Sequence, residues 1–234
     1  ITQENVIRNQ LLIDEGDEFN SILESKSINN IKALNIFKTV DSKIIDNTDN
    51  SKIIDITIEE KATGEIMAGA GVGTDGNTLS FAVKENNYLG RGIGLKSELT
   101  ISDETIKGLF NVNNPNFRNS DKSINLNVQS LETDKLTDSG YKTNKTGFGF
   151  GTNFEYQDDV FIGLGQDSYY EKIETNSSAS ARQKSQAGNY WDTFLNLDLN
   201  YDKRNQKFRP TDGFRSSYSV NLPIISENNS LMNT

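Results

Sequence analysis

The sequence predicts a small α+β module followed by part of an antiparallel transmembrane β-barrel. Three observations carry this. Apolar side chains recur at every second position in a series of segments between Glu65 and Ile224; no helical pattern separates those segments; and the first sixty or so residues follow a different order, helix, helix, strand, strand. The alternation is clearest where Leu195, Leu197, Leu199 and Tyr201 interleave with Asn196, Asp198, Asn200 and Asp202. Strand side chains point alternately to opposite faces, so this segment has one apolar face and one that requires water. A single such strand suits a soluble sandwich. About nine in succession suit a wall between lipid and a wet lumen.

In chain order, Thr2 is placed to cap a first helix carrying Val6, Ile7 and Leu11 on one face, which Gly16 breaks. A second helix over residues 21–35 sets Ile28, Ile31 and Leu34 at helical spacing. Residues 36–45 and 51–60 then read as strands around the turn signal Asp46-Asn47-Thr48-Asp49-Asn50. Two strands alone make a marginal sheet, so a further strand is expected before Ile1.

From Glu65 onward the alternation predicts strands near 65–73, 77–85, 91–101, 105–113, 122–131, 146–156, 159–170, 191–202 and 213–224. Their connections alternate in character. Residues 86–90, Gln157-Asp158 and residues 204–213 are ordered turns, whereas residues 131–145 and 172–189 are expected to be long loops rich in Ser, Thr and Asn. Barrels keep short turns on the periplasmic side and long loops outside, and entry from the periplasm at Thr63-Gly64 satisfies that rule. The hairpins at Thr74-Asp75-Gly76 and Ser102-Asp103-Glu104 are then external but short. Phe148, Phe150 and Phe154 alternate with Gly147, Gly149 and Gly151, and Ile162 and Leu164 with Gly163 and Gly165. Glycine weakens a strand, so glycines repeated on one face predict curvature or close packing there.

Composition excludes several classes. With 34% hydrophobic residues and a mean hydropathy of -0.61, the chain holds nothing close to the roughly 20 apolar residues of a spanning helix, a test that spanning strands escape. There is no Cys and no His, which removes thiol nucleophiles, Ser-His-Asp triads and His/Cys zinc sites; the lack of thiols also fits an oxidising compartment. A net charge of -9 opposes nucleic-acid binding. The glycines of residues 69–76 resemble a phosphate loop, but Leu79, Phe81 and Val83 alternate beyond them where such a loop needs a helix. Asp14-Glu15-Gly16-Asp17-Glu18 lacks the ligand spacing of a calcium loop. Asp192, Asp198 and Asp202 with Glu155 could form a glycosidase-type acid pair; carboxylates alternating along a strand are better read as facing a wet lumen. No enzyme activity, cofactor or metal is therefore expected. Trp191, Tyr190, Tyr201, Tyr169, Tyr170 and Tyr218 fall near strand ends, where most of them suit an interfacial aromatic girdle and the alternative is ordinary hairpin packing. Ile1-Thr2-Gln3-Glu4 has no signal-peptide pattern, so any signal lies upstream or has been removed, and the polar ending 228–234 suggests a piece of a longer chain.

Several motifs resemble the BamA family of outer-membrane protein assembly factors. They are Thr63-Gly64-Glu65 leading into Gly69-Ala70-Gly71-Val72-Gly73, Glu85-Asn86-Asn87-Tyr88-Leu89-Gly90-Arg91-Gly92, Asn114-Pro115-Asn116-Phe117 and Phe208-Arg209-Pro210-Thr211-Asp212-Gly213. Upstream, Gly16-Asp17-Glu18-Phe19-Asn20 and Leu34-Asn35-Ile36-Phe37-Lys38-Thr39-Val40 resemble the interior of a POTRA module. The resemblance implies that residues 1–62 are the last of several periplasmic POTRA modules, its first strand missing, and that residues 63–234 are the first nine or so strands of a barrel of roughly sixteen. The implied fold class is thus a partial α+β POTRA module followed by the N-terminal half of an antiparallel transmembrane β-barrel.

The implied function is folding and insertion of β-barrel proteins into the outer membrane of Gram-negative bacteria, without ATP or a covalent step. Implied partners are unfolded outer-membrane β-barrel precursors, assembly-machinery lipoproteins, a periplasmic chaperone and outer-membrane lipid. The seam strand would be Ile66, Met67, Ala68, Gly69, Ala70, Gly71, Val72 and Gly73, whose small side chains pack weakly and leave an edge that can template pairing of another chain. The family's Arg-Gly-Phe loop motif and closing strand are not in this sequence. That leaves a related polypeptide-translocating barrel, similar to TamA or to two-partner secretion transporters, as the alternative.

Overall fold

The computed structural model describes residues 1–47, 51–73, 76–205 and 209–227. The centre of the predicted 46–50 turn, Thr74-Asp75 of the first barrel hairpin, Phe208 of the Pro-Thr-Asp-Gly motif and the tail from Asn228 lie outside the described residues.

The N-terminal unit contains α1 (Glu4–Arg8), α2 (Ser21–Ala33), β1 (Phe37–Asp46) and β2 (Lys52–Glu60). Thr2 does not cap α1; the N-cap position is Gln3 and makes no side-chain bond. Thr2 instead donates its amide to the Glu60 carboxylate, and its hydroxyl accepts from Asn87 Nδ2 at 2.8 Å. Its polar groups serve long-range ties that no local pattern encodes. Asn20 caps α2, its Oδ1 accepting from the amides of Ile22 at 2.9 Å and Leu23 at 3.3 Å. The helix stops before Asn35, which adopts a left-handed φ of 54°. One face of α2 packs on the β1–β2 hairpin, and Val6, Ile28, Ile31, Ile36, Phe37 and Val40 form the buried core, with Ile31 fully enclosed.

The remainder is one nine-stranded antiparallel sheet whose strands follow sequence order: β3 (Gly64–Gly73), β4 (Gly76–Tyr88), β5 (Ile93–Ser102), β6 (Thr105–Asn114), β7 (Ser123–Lys135), β8 (Tyr141–Gln157), β9 (Val160–Thr175), β10 (Gly188–Asp202) and β11 (Arg215–Ser226). Among the described residues the sheet is not closed; β3 and β11 are its edges. The expected long external loops are shorter than predicted, because strands run through them and leave only residues 136–140 and 176–187, the latter holding the short helix α3 (Ala181–Ser185). What reads as coil is strand whose polar side chains pair across the ladder: Lys142 Nζ lies 2.7 Å from Glu132 and 3.2 Å from Asp134, and the Ser130 and Thr146 hydroxyls are 2.9 Å apart.

The register sorts the side chains by face. Phe81 pairs with Leu99, Phe110 with Val128, Leu126 with Phe150, and Leu197 with both Leu164 and Val220. This apolar face is open: Phe81 is 51%, Phe150 50% and Leu126 49% exposed. The alternate positions pair Lys84 with Lys96, Asn111 with Asn127, Asn125 with Gly151 and Asp198 with Ser219. Among the described residues no second sheet covers the apolar band, as a sandwich would require. No described helix is long and apolar enough to cross a membrane, which leaves spanning strands untouched.

Candidate functional site

The predicted seam residues Ile66 to Gly73 lie together on β3. All ten residues of that strand are exposed, and among the described residues it pairs only with β4, in a register unbroken from Gly64 opposite Glu85 to Gly73 opposite Gly76. Ile66, Ala68, Ala70 and Val72 fall on the apolar face; Met67, Gly69, Gly71 and Gly73 on the polar one. A Cβ built on Gly69, Gly71 or Gly73 would meet nothing within 4 Å. Edge strands are ordinarily blunted by Lys, Pro, bulges or covering elements. β3 carries no Lys or Pro and no bulge, and among the described residues no strand pairs with its outer side. The opposite edge, β11, contains Pro223 beside a register shift. The chemistry available at β3 is thus a row of backbone donors and acceptors with little side-chain bulk, which pairs with any extended chain irrespective of its sequence.

The glycines of β8 and β9 are different. They face the polar side, and neighbouring side chains fill the space a Cβ would occupy: the Tyr169 ring over Gly147, Asp167 and Asn127 over Gly149, Asn125 over Gly151, Asp198 beside Gly163. Asn196 Nδ2 in turn donates to Asp167, and Ser219 Oγ to Asp198. Close packing of lumen side chains, one of the two predicted causes, explains these glycines.

The four imagined acids do not form a catalytic pair. Asp202 holds Arg204 through both oxygens at 2.7 Å, Asp198 takes the Ser219 hydroxyl, Glu155 caps a turn by accepting from the Asp159 amide at 2.8 Å, and Asp192 is buried in the ladder. Of the proposed girdle, Trp191, Tyr170, Tyr201 and Tyr218 share the apolar face, with the Tyr170 and Trp191 rings 6.4 Å apart. Trp191 Nε1 donates to Thr193 Oγ1 at 3.1 Å, and that hydroxyl meets buried Ser168 Oγ at 3.0 Å. Tyr169 and Tyr190 belong elsewhere. Each precedes a girdle residue directly, so strict alternation puts it on the other face, where Tyr169 lies under Lys145 at 4.6 Å and Tyr190 Oη donates to the Gln186 carbonyl at 2.9 Å. That signal was available from parity.

The turn motifs have a local rationale. Gly90 and Gly92 adopt φ of 71° and 66°, and Asn87 Oδ1 accepts from the Gly92 amide at 2.7 Å, closing the β4–β5 turn. Between β6 and β7, Arg118 and Asn119 are both left-handed. Glu60, where the N-terminal unit meets the sheet, is held below the usual carboxylate range chiefly by the Thr2 amide and then by the Thr2 hydroxyl.

Comparison with known proteins supplies the context. The Omp85 superfamily domain profile matches residues 87–234. The outer membrane protein assembly factor BamA of Buchnera aphidicola subsp. Acyrthosiphon pisum (strain APS) is 34% identical over 108 residues, which cover 44% of this chain and 17% of that protein. Among solved structures, BamA from Haemophilus ducreyi lacking POTRA domains 1–3 superposes with a TM-score of 0.69 at 20% identity, over 97% of this chain and 47% of that one. CdiB from Escherichia coli gives 0.57 at 10% identity over 96% of this chain and 44% of that one, and CdiB from Acinetobacter baumannii 0.54 at 10% over 97% and 45%. The chain thus spans less than half the length of each protein it is compared with. With the family profile covering more than half of the sequence and the sheet superposing on solved barrels, the chain belongs to the Omp85 superfamily, and its nine strands are a BamA-like outer-membrane barrel wall.

Proposed function

We propose that the protein carrying this chain assembles other β-barrels in the outer membrane, and that β3 is the strand at which incoming strands are added. The observation that carries this reading is the make-up of β3: glycine alternates with Ala and Val from Ala68 to Gly73, without Lys, Pro or a bulge, in an unbroken register with β4. A machine that must accept strands of unrelated sequence needs backbone recognition, and β3 offers little else. In this reading residues 1–62 are the last POTRA module, in the periplasm, its first strand supplied by preceding residues, and residues 63–234 are the first nine strands of the barrel. The helix-helix-strand-strand order and the single core between α2 and β1 support the module assignment.

The sequence of events needs no covalent chemistry and no nucleotide. The module hands over an unfolded precursor with help from lipoprotein partners and a periplasmic chaperone; β3 parts from the closing strand and its backbone templates the first client strand; surrounding outer-membrane lipid receives the growing sheet. The test is to cross-link β3 to the closing strand in the full-length protein, for instance from Ala70→Cys, and to measure insertion of client barrels. Loss of insertion that returns on reduction is expected. Undiminished insertion by the locked protein overturns the gate.

The second reading, polypeptide conduction through the lumen, is favoured by the polar face that carries Asn125, Asn127, Asn196 and Asp198. Single-channel recording with and without a secreted partner separates the two, because a conducting barrel changes its current when the partner is added and an insertase does not.

A further inference from the structure

One carboxylate on the polar face of the sheet is left without a partner. Its neighbours are satisfied: Asp167 accepts from Asn196, Asp198 from Ser219, and Asp202 holds Arg204 through both oxygens. Asp192 is only 8% exposed, and its Oδ1 is enclosed without a hydrogen-bond partner. Among the described residues no cation reaches it; the Lys145 ammonium, two strands away on β8, lies over the Tyr169 ring at 4.6 Å instead. An ionised carboxylate held out of water with neither donor nor cation is strongly unfavourable. Among the described residues no three acids gather as metal ligands, so a metal ion would find too few donors here, whereas a basic side chain brings both charge and donors. β11 is shaped for one at this height. Its register against β10 shifts between Thr193 and Phe194, with Phe194 opposite Pro223 and Thr193 opposite Ile225, so Ile224 is the extra residue of a bulge. In an unbroken ladder Ile225 would face Asp192. The bulge puts Ser226 there and turns Ile225 to the apolar face beside Thr193.

We propose that Asp192 is one half of an ion pair on the polar face, and that its partner is a Lys or Arg of the strand that follows β11 in the full-length protein, reaching over Ser226. The proposal rests on the reading of this chain as part of a longer barrel. Neighbouring strands lie about 4.8 Å apart, so the strand beyond β11 runs about 10 Å from β10. A long basic side chain and the short Asp192 side chain close that gap between them when only a serine stands in the way. The pair also sets register. A slip of one residue turns the basic side chain to the apolar face, and a slip of two carries it about 7 Å from the carboxylate. Asp192 thus selects one alignment of the following strand, which backbone pairing alone does not do.

The experiment follows unfolding of the full-length protein in lipid vesicles by urea titration, read as the gel mobility of unheated samples. Asp192→Asn keeps the shape and removes the charge. It is expected to lower the folding equilibrium constant roughly a hundredfold or more, because it strands the partner cation. Stability equal to or above that of the unaltered protein means that no cation was paired, the enclosed oxygen being served by water, and overturns the proposal. Each Lys and Arg of the strand after β11 is then replaced by Met, alone and together with Asp192→Asn. At one position the single replacement is expected to cost about as much as Asp192→Asn, and the double variant to lose little more than either. Strictly additive losses at every position overturn the pair. Should Asp192→Asn not fold, the double variants still decide: folding regained at one position supports the pair, and folding regained at none overturns it. Amide exchange separates the pair from the reading beneath it. Free exchange of the β11 amides that point away from β10 means that no strand follows, and the barrel reading fails; protected amides with no coupled base defeat the ion pair alone.

Discussion

β3 and β8 carry the same signature, glycine at alternate positions on the lumen side, and use it in opposite ways. In β8 the missing side chains at Gly147, Gly149 and Gly151 make room for Tyr169, Asp167, Asn127 and Asn125, so the wall is tightly packed where its residues are smallest. In β3 the missing side chains at Gly69, Gly71 and Gly73 make room for nothing. β8 also has partners on both sides, whereas β3 has one. A glycine repeat is therefore a statement about its neighbours: between long polar strands it permits packing, and at an edge it withholds it.

Four substitutions test that contrast, beginning with the largest effect. Ala70→Pro in β3 removes one backbone donor and stiffens the edge. It is expected to abolish client insertion by the full-length protein while the barrel still folds by gel mobility; retained insertion would mean that β3 is not the templating edge. Gly149→Val in β8 drives a branched side chain into Asp167 and Asn127, and is expected to destabilise the folded barrel by about 1–3 kcal/mol in urea titrations. Gly71→Val in β3 introduces the same group into open space, and a change within about 0.5 kcal/mol is expected because nothing must move. Equal destabilisation by the two valines would erase the distinction between the strands. Glu60 gives the smallest effect, at the junction of sheet and N-terminal unit. Its folded-state pKa is depressed, so its contribution is full above the unfolded carboxylate value and fades as pH falls through the folded one. Glu60→Gln should lower stability slightly near neutral pH and leave it unchanged below the folded-state pKa, so urea titrations of the two proteins converge as the pH falls.

The alternation of Leu195 to Tyr201 and its counterparts located every strand of the sheet, because a half-buried strand writes its period directly into the chain. Strand ends were harder. Beyond Leu131 and Lys172 both faces become polar, the period disappears, and ladder continues through residues that composition assigns to loop. The core of the N-terminal unit was visible as Ile28 and Ile31 at helical spacing, but not its contacts with the turns of the sheet. Asn5 and Asn119, or Gln10 and Asn116, meet across more than a hundred residues through isolated amides that carry no periodic mark. The small-residue composition of β3 was readable from residues 66–73, while its reading as a seam rests on the resemblance.

Trp191 is the only tryptophan in the sequence, and it sits on the outer surface near one end of β10 with its N–H tied to Thr193. An indole so held is an optical depth gauge. Its emission should shift to the blue, and brominated acyl chains should quench it, only once this side of the wall has entered a bilayer, so the protein's own arrival in lipid can be timed without attaching a dye.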